Sequence, residues 1–335
     1  MKNSATKSPR IVVAGAGAIG CYVGGLLAHG GMQVSFLGRA RILDTLRSHG
    51  LRLSDYSGMD VSVPPDALDL HEAPAILADA DLILVCVKSA ATAEMADQIA
   101  AYAKPDAIIV SLQNGMGHAD TLRAALPSHD IRPAMVPFNV VPKELGQFHR
   151  ASSGDIVIGA GPAGIDQLMS VAGLDVSQSD EIEAVQWGKF LLNLNNAPNA
   201  LSGLTLHEQL LNRPWRRLMA DQMAEALHVL RAHNCTVRPT TPVPVALVPH
   251  ILRLPTPLFR RVAAKMLTID PEARTSMAHD LMAGRITEID ALQGRIIAMG
   301  REKSVKTPLC EAMLLAVKQA EQTGAKPHSP ESLRS

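Results

Sequence analysis

Aromatic side chains are scarce in this chain of 335 residues: Trp 2, Tyr 3 and Phe 5 amount to 3%. The interior must therefore be filled by aliphatic side chains, Ala and Met. Charge of one sign is not in surplus either, since 32 Lys and Arg face 32 Asp and Glu. A balanced surface has no basic excess to hold a phosphate backbone, which excludes nucleic acid as the expected partner. Cysteine is limited to Cys21, Cys86, Cys235 and Cys310, far apart and without paired spacing. They read as thiols in a reducing compartment, not as a disulfide framework or zinc site. No apolar run reaches membrane-spanning length. The charged first ten residues lead into a strand pattern, not into the apolar core of a signal peptide. The histidines form no His-x-x-x-His pair, and His71-Glu72 and His207-Glu208 stand isolated, so no metal is expected. A cytoplasmic protein with a small-molecule substrate and no membrane or nucleic-acid partner is the expectation. A homodimer is compatible with it.

What the chain does have is length for two domains and an ordinary apolar fraction of 47%. Short aliphatic runs alternate with helical stretches through the first half. Strands are expected at Ile11–Ala14, Gln33–Leu37, Leu82–Val87 and Ala107–Leu112, with further pieces at Pro133–Val141 and Asp155–Ile158. Runs of this kind between helices indicate parallel strands buried on both faces, hence a doubly wound α/β sheet. From Glu181 the periodicity is helical: Val185–Leu201, Arg216–His233, Leu258–Leu267, Thr287–Met299 and Pro308–Gln319, with a Pro-rich interruption from Pro239 to Pro257. The expected organisation is a Rossmann-type domain over 1–178 and an all-helical domain over 179–335. The polar tail from about 324 is expected to be disordered.

Gly15-Ala16-Gly17-Ala18-Ile19-Gly20 follows the first strand and opens a helix. Gly15 permits the tight turn, Gly17 lets backbone approach a pyrophosphate, and Gly20 allows close helix–strand packing. A site for NAD places an acid at the end of the second strand for the ribose 2′-hydroxyl. Here Phe36-Leu37-Gly38-Arg39-Ala40-Arg41 has none before Asp44. Arg39 and Arg41 suit a 2′-phosphate instead, which points to NADP(H). Lys88 and Asn114 follow two later strands, where open α/β sheets bind ligands. Lys88 could neutralise a phosphate or a carboxylate, and Asn114 could bond a ribose or the substrate.

Between Trp187 and Leu201, Lys189 and Asn193 lie about 40° apart on a helical wheel, with Asn196 about 20° to the other side of Lys189. One lysine and two amides on an otherwise apolar helix suit a polar site between domains. Asn195 points elsewhere, and Pro198 is expected to kink the helix. A lysine is protonated at neutral pH and can give a proton to a carbonyl oxygen as it is reduced. Further on, Thr287 with Asp290 forms a capping-box-like pattern that places Glu288 in a helix's first turn. A carboxylate fixed there could orient a lysine or bind a cofactor hydroxyl.

These motifs together resemble the ketopantoate reductase family (2-dehydropantoate 2-reductases), from residue 11 to about 320. The resemblance rests on Gly15–Gly20, Val87-Lys88, Gln113-Asn114-Gly115-Met116-Gly117, Lys189 with Asn193, Ser276-Met277, and Arg285-Ile286-Thr287-Glu288-Ile289-Asp290. It implies a Rossmann domain joined to a helical domain, with the site between them. It implies NADPH-dependent reduction of 2-dehydropantoate to (R)-pantoate, in pantothenate and coenzyme A biosynthesis. By resemblance Lys189 is the general acid and Glu288 a cofactor-binding acid. Asn193 and Ser276 match positions that bind the substrate's carboxylate and hydroxyl, and Asn114 touches both cofactor and substrate. One position departs: Ala197 stands where the family pattern has a second substrate asparagine, and Asn196 or Asn199 is the nearest replacement. A reductase of another 2-oxo acid stays open. A non-catalytic NADP-binding sensor would be expected to lack Lys189 and Glu288, and both are present.

Overall fold

The computed structural model describes residues 8–240, 243–267, 272–324 and 326–334. Contacts divide the chain into two units, Met1–Ile182 and Glu183–Ser335, so the division falls a few residues beyond 178.

The first unit holds twelve strands among its described residues. They are β1 (Arg10–Ala14), β2 (Gln33–Leu37), β3 (Leu51–Asp55), β4 (Asp60–Val63), β5 (Asp69–His71), β6 (Leu82–Val85), β7 (Ile108–Ser111), β8 (Asp130–Met135), β9 (Val140–Pro142), β10 (Gln147–Arg150), β11 (Ile156–Gly159) and β12 (Val176–Ser179). Its helices are α1 (Ala18–His29), α2 (Ala40–His49), α3 (Thr92–Tyr102), α4 (His118–Ala125) and α5 (Ile165–Met169). Eight strands form one sheet in the order β12-β11-β8-β7-β6-β1-β2-β5. From β5 to β8 all neighbours are parallel. That stretch has the doubly wound order of a dinucleotide-binding fold. In β1 the residues alternate between two cores: Ile11 and Val13 join one apolar cluster, Val12 and Ala14 the other. This is why the run reads as continuously aliphatic.

The expected strand over Pro133–Val141 is two strands. β8 ends at Met135, and β9 belongs to a second sheet of order β4-β3-β10-β9. That sheet was not foreseen. Leu51, Leu53 and Phe148 from it are buried in the cluster that also contains Tyr22, Leu26 and Leu27 of α1.

The second unit is helical: α6 (Ile182–Asn193), α7 (Asn196–Ser202), α8 (Leu206–Leu211), α9 (Arg213–Ala232), α10 (Val248–Arg253), α11 (Thr256–Val262), α12 (Ser276–Met282), α13 (Arg295–Glu302) and α14 (Pro308–Thr323). A π-helical turn, Asp290–Gly294, runs directly into α13. Prolines of the interrupting stretch stand at helix starts. Pro249 and Pro257 occupy first-turn positions, where a missing N–H removes no helical bond. Pro242 lies outside the described residues.

Two expectations fail in this unit. The single kinked helix over Trp187–Leu201 is α6 and α7, parted at Leu194–Asn195. Pro198 falls in the first turn of α7, where it breaks nothing. The tail is not free chain where it is described: His328 donates its N–H to Leu201 O at 2.8 Å, Leu333 is buried, and Arg334 pairs with Asp221 at 2.6 Å. Polar composition hid one apolar anchor and a few backbone contacts.

Candidate active site

The glycine loop is fastened from beneath. Gly15 and Ala16 both donate their N–H to Leu37 O, at 3.0 and 3.2 Å, which ties the loop to the end of β2. Gly15 has φ +116°, and a Cβ on it would lie 2.8 Å from Val87 N. Only glycine suits that position. A Cβ on Gly20 would collide with Gly15 O and come within 2.9 Å of Val13 Cγ1, so helix and strand are in close contact there. Gly17 differs. A Cβ there would meet nothing nearer than Cys86 O at 3.9 Å. The fold therefore leaves open space at Gly17, beside Ala18 and Ile19 in the first turn of α1, and no side chain caps that helix. A bare cradle at an uncapped helix N-terminus fits the diphosphate of a dinucleotide.

Arg39 is the residue before α2, and Arg41 lies in its first turn; both are exposed. Among the described residues neither guanidinium makes a hydrogen bond or ion pair. The carboxylates around them are engaged. Asp44 pairs with Arg47 at 2.6 Å, and Asp69 of β5 takes His71 Nε2 at 2.6 Å together with the Ser35 hydroxyl.

Lys88 stands past β6 and Asn114 past β7, both exposed. The residue that relates their loops was not foreseen. Buried Gln113 donates from Nε2 to Val87 O at 3.0 Å and to Thr92 Oγ1 at 2.7 Å, and its Oε1 accepts from Ser111 Oγ at 3.1 Å. His118 adds a bond to Asn114 O at 2.9 Å. Gly117 begins α4 in the left-handed region, φ +86°. The signal was in the sequence: a glutamine following an aliphatic strand is a poor choice for burial unless its amide is used.

In the second unit, Lys189 and Asn193 lie one turn apart on α6, both half-buried. Burial lowers the Lys189 ammonium from its ordinary value to about 8, because losing water penalises the charged form. Asn193 and Asn196 have half-buried side-chain amides with no bond to any described residue. Asn199 is different. It is fully buried and saturated, donating to Leu204 O and Gln209 Oε1 at 3.1 Å and accepting from Thr275 N at 3.1 Å. It holds the fold and has nothing left for a ligand, so of the two candidates beside buried Ala197 only Asn196 remains. Asn195 forms a reciprocal amide pair with Gln209.

Three chain segments converge where α6 gives way to α7. Thr275, the cap of α12, donates from Oγ1 to Asn196 O at 3.3 Å, which sets the neighbouring, exposed Ser276 beside that corner. Gln293 donates from Nε2 to Leu194 O at 2.9 Å. Glu288 stands at the start of the helix that carries Gln293, its carbonyl accepting from Ala291 and Leu292 at 3.1 and 3.2 Å. The expected capping box is absent. Thr287 Oγ1 accepts from Ile289 N and itself donates to Glu321 at 2.8 Å, while Asp290 pairs with Lys318. Gln209, Thr275 and Gln293 were not singled out from sequence, because their partners lie far along the chain.

A model of the PanE/ApbA ketopantoate reductase matches residues 11–163, and one of its C-terminal part matches residues 181–321. The chain belongs to the ketopantoate reductase family. It is an oxidoreductase with the family's two-part architecture, a parallel α/β sheet followed by helices. This ketopantoate reductase family member is 28% identical to the 2-dehydropantoate 2-reductase of Halobacterium salinarum, over 94% of this chain and 100% of that one. The solved PanE/ApbA family ketopantoate reductase of Ralstonia eutropha JMP134 shares 30% identity at a TM-score of 0.80, covering 94% and 99% of the chains. The 2-dehydropantoate 2-reductase of Geobacter metallireducens shares 25% at a TM-score of 0.78, covering 93% and 99%. Among the described residues, no group of three His, Cys, Asp or Glu is placed to hold a metal, and no helix is long and apolar enough to cross a membrane.

Proposed function

We propose that the protein reduces the keto group of 2-dehydropantoate to (R)-pantoate with NADPH, a step towards pantothenate and coenzyme A. The observation that carries this reading is Lys189, whose ammonium is drawn down to about 8 by burial, one turn from the open amide of Asn193. A lysine with that pKa is still charged at neutral pH, yet gives its proton more readily than an ordinary one.

When bound, the reduced nicotinamide supplies the hydride that adds to the substrate's carbonyl carbon. Lys189 Nζ holds a proton for the carbonyl oxygen and delivers it as negative charge builds there. Before transfer, its positive charge stabilises that oxygen. Asn193 and Asn196 hold the substrate's carboxylate and hydroxyl through their amides, together with the hydroxyl of Ser276. Asn114 bonds substrate and nicotinamide ribose, and Glu288 bonds the cofactor. Gly15, Ala16, Gly17, Ala18, Ile19 and Gly20 cradle the diphosphate, with Lys88 neutralising part of its charge. The choice of NADPH is supported by Arg39, exposed and unpaired among the described residues at the end of β2, where neighbouring carboxylates are bound elsewhere.

A second reading, reduction of another branched or aromatic 2-oxo acid, is favoured by Ala197. It is buried and places a methyl where the family pattern has an amide. Steady-state kinetics with 2-dehydropantoate and a panel of 2-oxo acids, each with NADPH and NADH, separates the readings. The proposal expects the highest kcat/KM for 2-dehydropantoate with NADPH. A higher value for another acid favours the second reading, and no turnover with any of them contradicts both.

A further inference from the structure

We propose that Gln293 is a positioning residue for the substrate, holding the corner between α6 and α7 at the geometry the Asn193 and Asn196 amides require; this rests on the reading of that corner as the substrate's binding site. In the helix that begins at Glu288 and runs to Glu302, the buried residues are Ile289, Leu292, Gln293, Ile296, Ile297, Met299 and Gly300. Their spacing is that of a core-facing stripe. The others are Ile, Leu, Met or Gly, and Gln293, fully buried, breaks the rule. A methionine or leucine would fill that place without a polar group to satisfy.

The amide is used. Its Nε2 donates at 2.9 Å to Leu194 O, across 99 residues of sequence. Leu194 lies between the end of α6 and the start of α7, where a carbonyl released from regular helical bonding needs a donor. Gln293 supplies one. The bond sets the orientation of the Leu194–Asn195 peptide, which lies between Asn193 and Asn196. It comes from the π-helical turn Asp290–Gly294, a local widening of the kind that recurs at functional sites. The other end of the amide, Oε1, is buried and accepts from no described residue. Leaving a buried acceptor unmade is costly, so a residue that served packing alone would not be a glutamine.

The test pairs Gln293→Met, which keeps volume and loses both polar atoms, with Gln293→Leu, which also removes the donor and cannot regain one by taking up a proton. Both are assayed with 2-dehydropantoate and NADPH beside Asn193→Ala. The expected result is a rise in KM for 2-dehydropantoate of roughly five- to tenfold in each Gln293 variant, the loss of one net hydrogen bond, with KM for NADPH unchanged. A substrate KM within about twofold of wild type in a folded variant overturns the proposal, since one lost hydrogen bond should exceed that. So does an equal rise in both KM values, or failure of both variants to fold, either of which makes Gln293 a residue of the core. If Asn193→Ala leaves the substrate KM unchanged, the reading of the corner itself fails. If Asn193→Ala raises it and the Gln293 variants do not, only the present inference fails.

Discussion

The Gln113 side-chain amide donates to the backbone carbonyl of Val87 at 3.0 Å, so the residue before Asn114 holds the residue before Lys88. Two loops that follow neighbouring parallel strands are thereby fixed relative to one another. Gln113→Leu removes all three bonds of this buried amide and leaves Val87 O and Ser111 Oγ without the partner it supplied, while Thr92 Oγ1 keeps its bond to Ser89 O. The expected loss is about 1–3 kcal/mol of stability, seen as a lower Tm, with a raised KM for NADPH. An unchanged KM in the folded variant would show that the brace does not serve the cofactor.

Gly15 and Gly17 should respond differently to the same change. Gly15→Ala places a methyl 2.8 Å from Val87 N at a φ of +116°, so it should destabilise the fold by more than about 1 kcal/mol. Gly17→Ala meets nothing closer than 3.9 Å. It should leave Tm nearly unchanged and weaken NADPH binding by about tenfold or more, as the methyl occupies space the diphosphate needs. Isothermal titration and thermal melts of both variants check this. Undiminished NADPH affinity in Gly17→Ala would remove the diphosphate from this loop.

Arg39→Ala should raise KM for NADPH far more than KM for NADH, because only the former carries a 2′-phosphate. A charge-assisted pair is worth about 1.5–3 kcal/mol, or roughly ten- to a hundredfold. Equal effects on the two cofactors would assign Arg39 to the solvent-facing surface instead.

Burial lowers the Lys189 ammonium to about 8. The proton to be donated is therefore present below that pH and lost above it. On this basis kcat/KM should be level on the acid side and fall about tenfold per pH unit on the alkaline side of about 8. A lysine at its ordinary value would hold the plateau to beyond pH 10. A pH profile of kcat/KM, which reports the groups of the free enzyme, distinguishes the two.

What could be read from sequence follows how local each signal is. The bounds of β2 and the continuous aliphatic run of β1 were plain, because burial on both faces writes itself into a short run. The second sheet was not, since β3 pairs in parallel with β10, nearly a hundred residues away. Lys189 and Asn193 stood out as polar residues on an apolar helix. The same criterion could not separate Asn193 from Asn199, whose saturation depends on Gln209 and Thr275. Pro198 promised a kink, but a proline in a first turn disturbs nothing. Gln293 escaped notice because its partner, Leu194 O, lies 99 residues away, in the turn between two other helices.

The central claim is that Lys189 supplies the proton, and single-turnover kinetics of Lys189→Ala with 2-dehydropantoate and NADPH tests it most directly. With NADPH binding unchanged, the rate of reduction should fall by roughly a hundred- to ten-thousandfold. A variant that reduces the substrate at close to the wild-type rate would contradict the account.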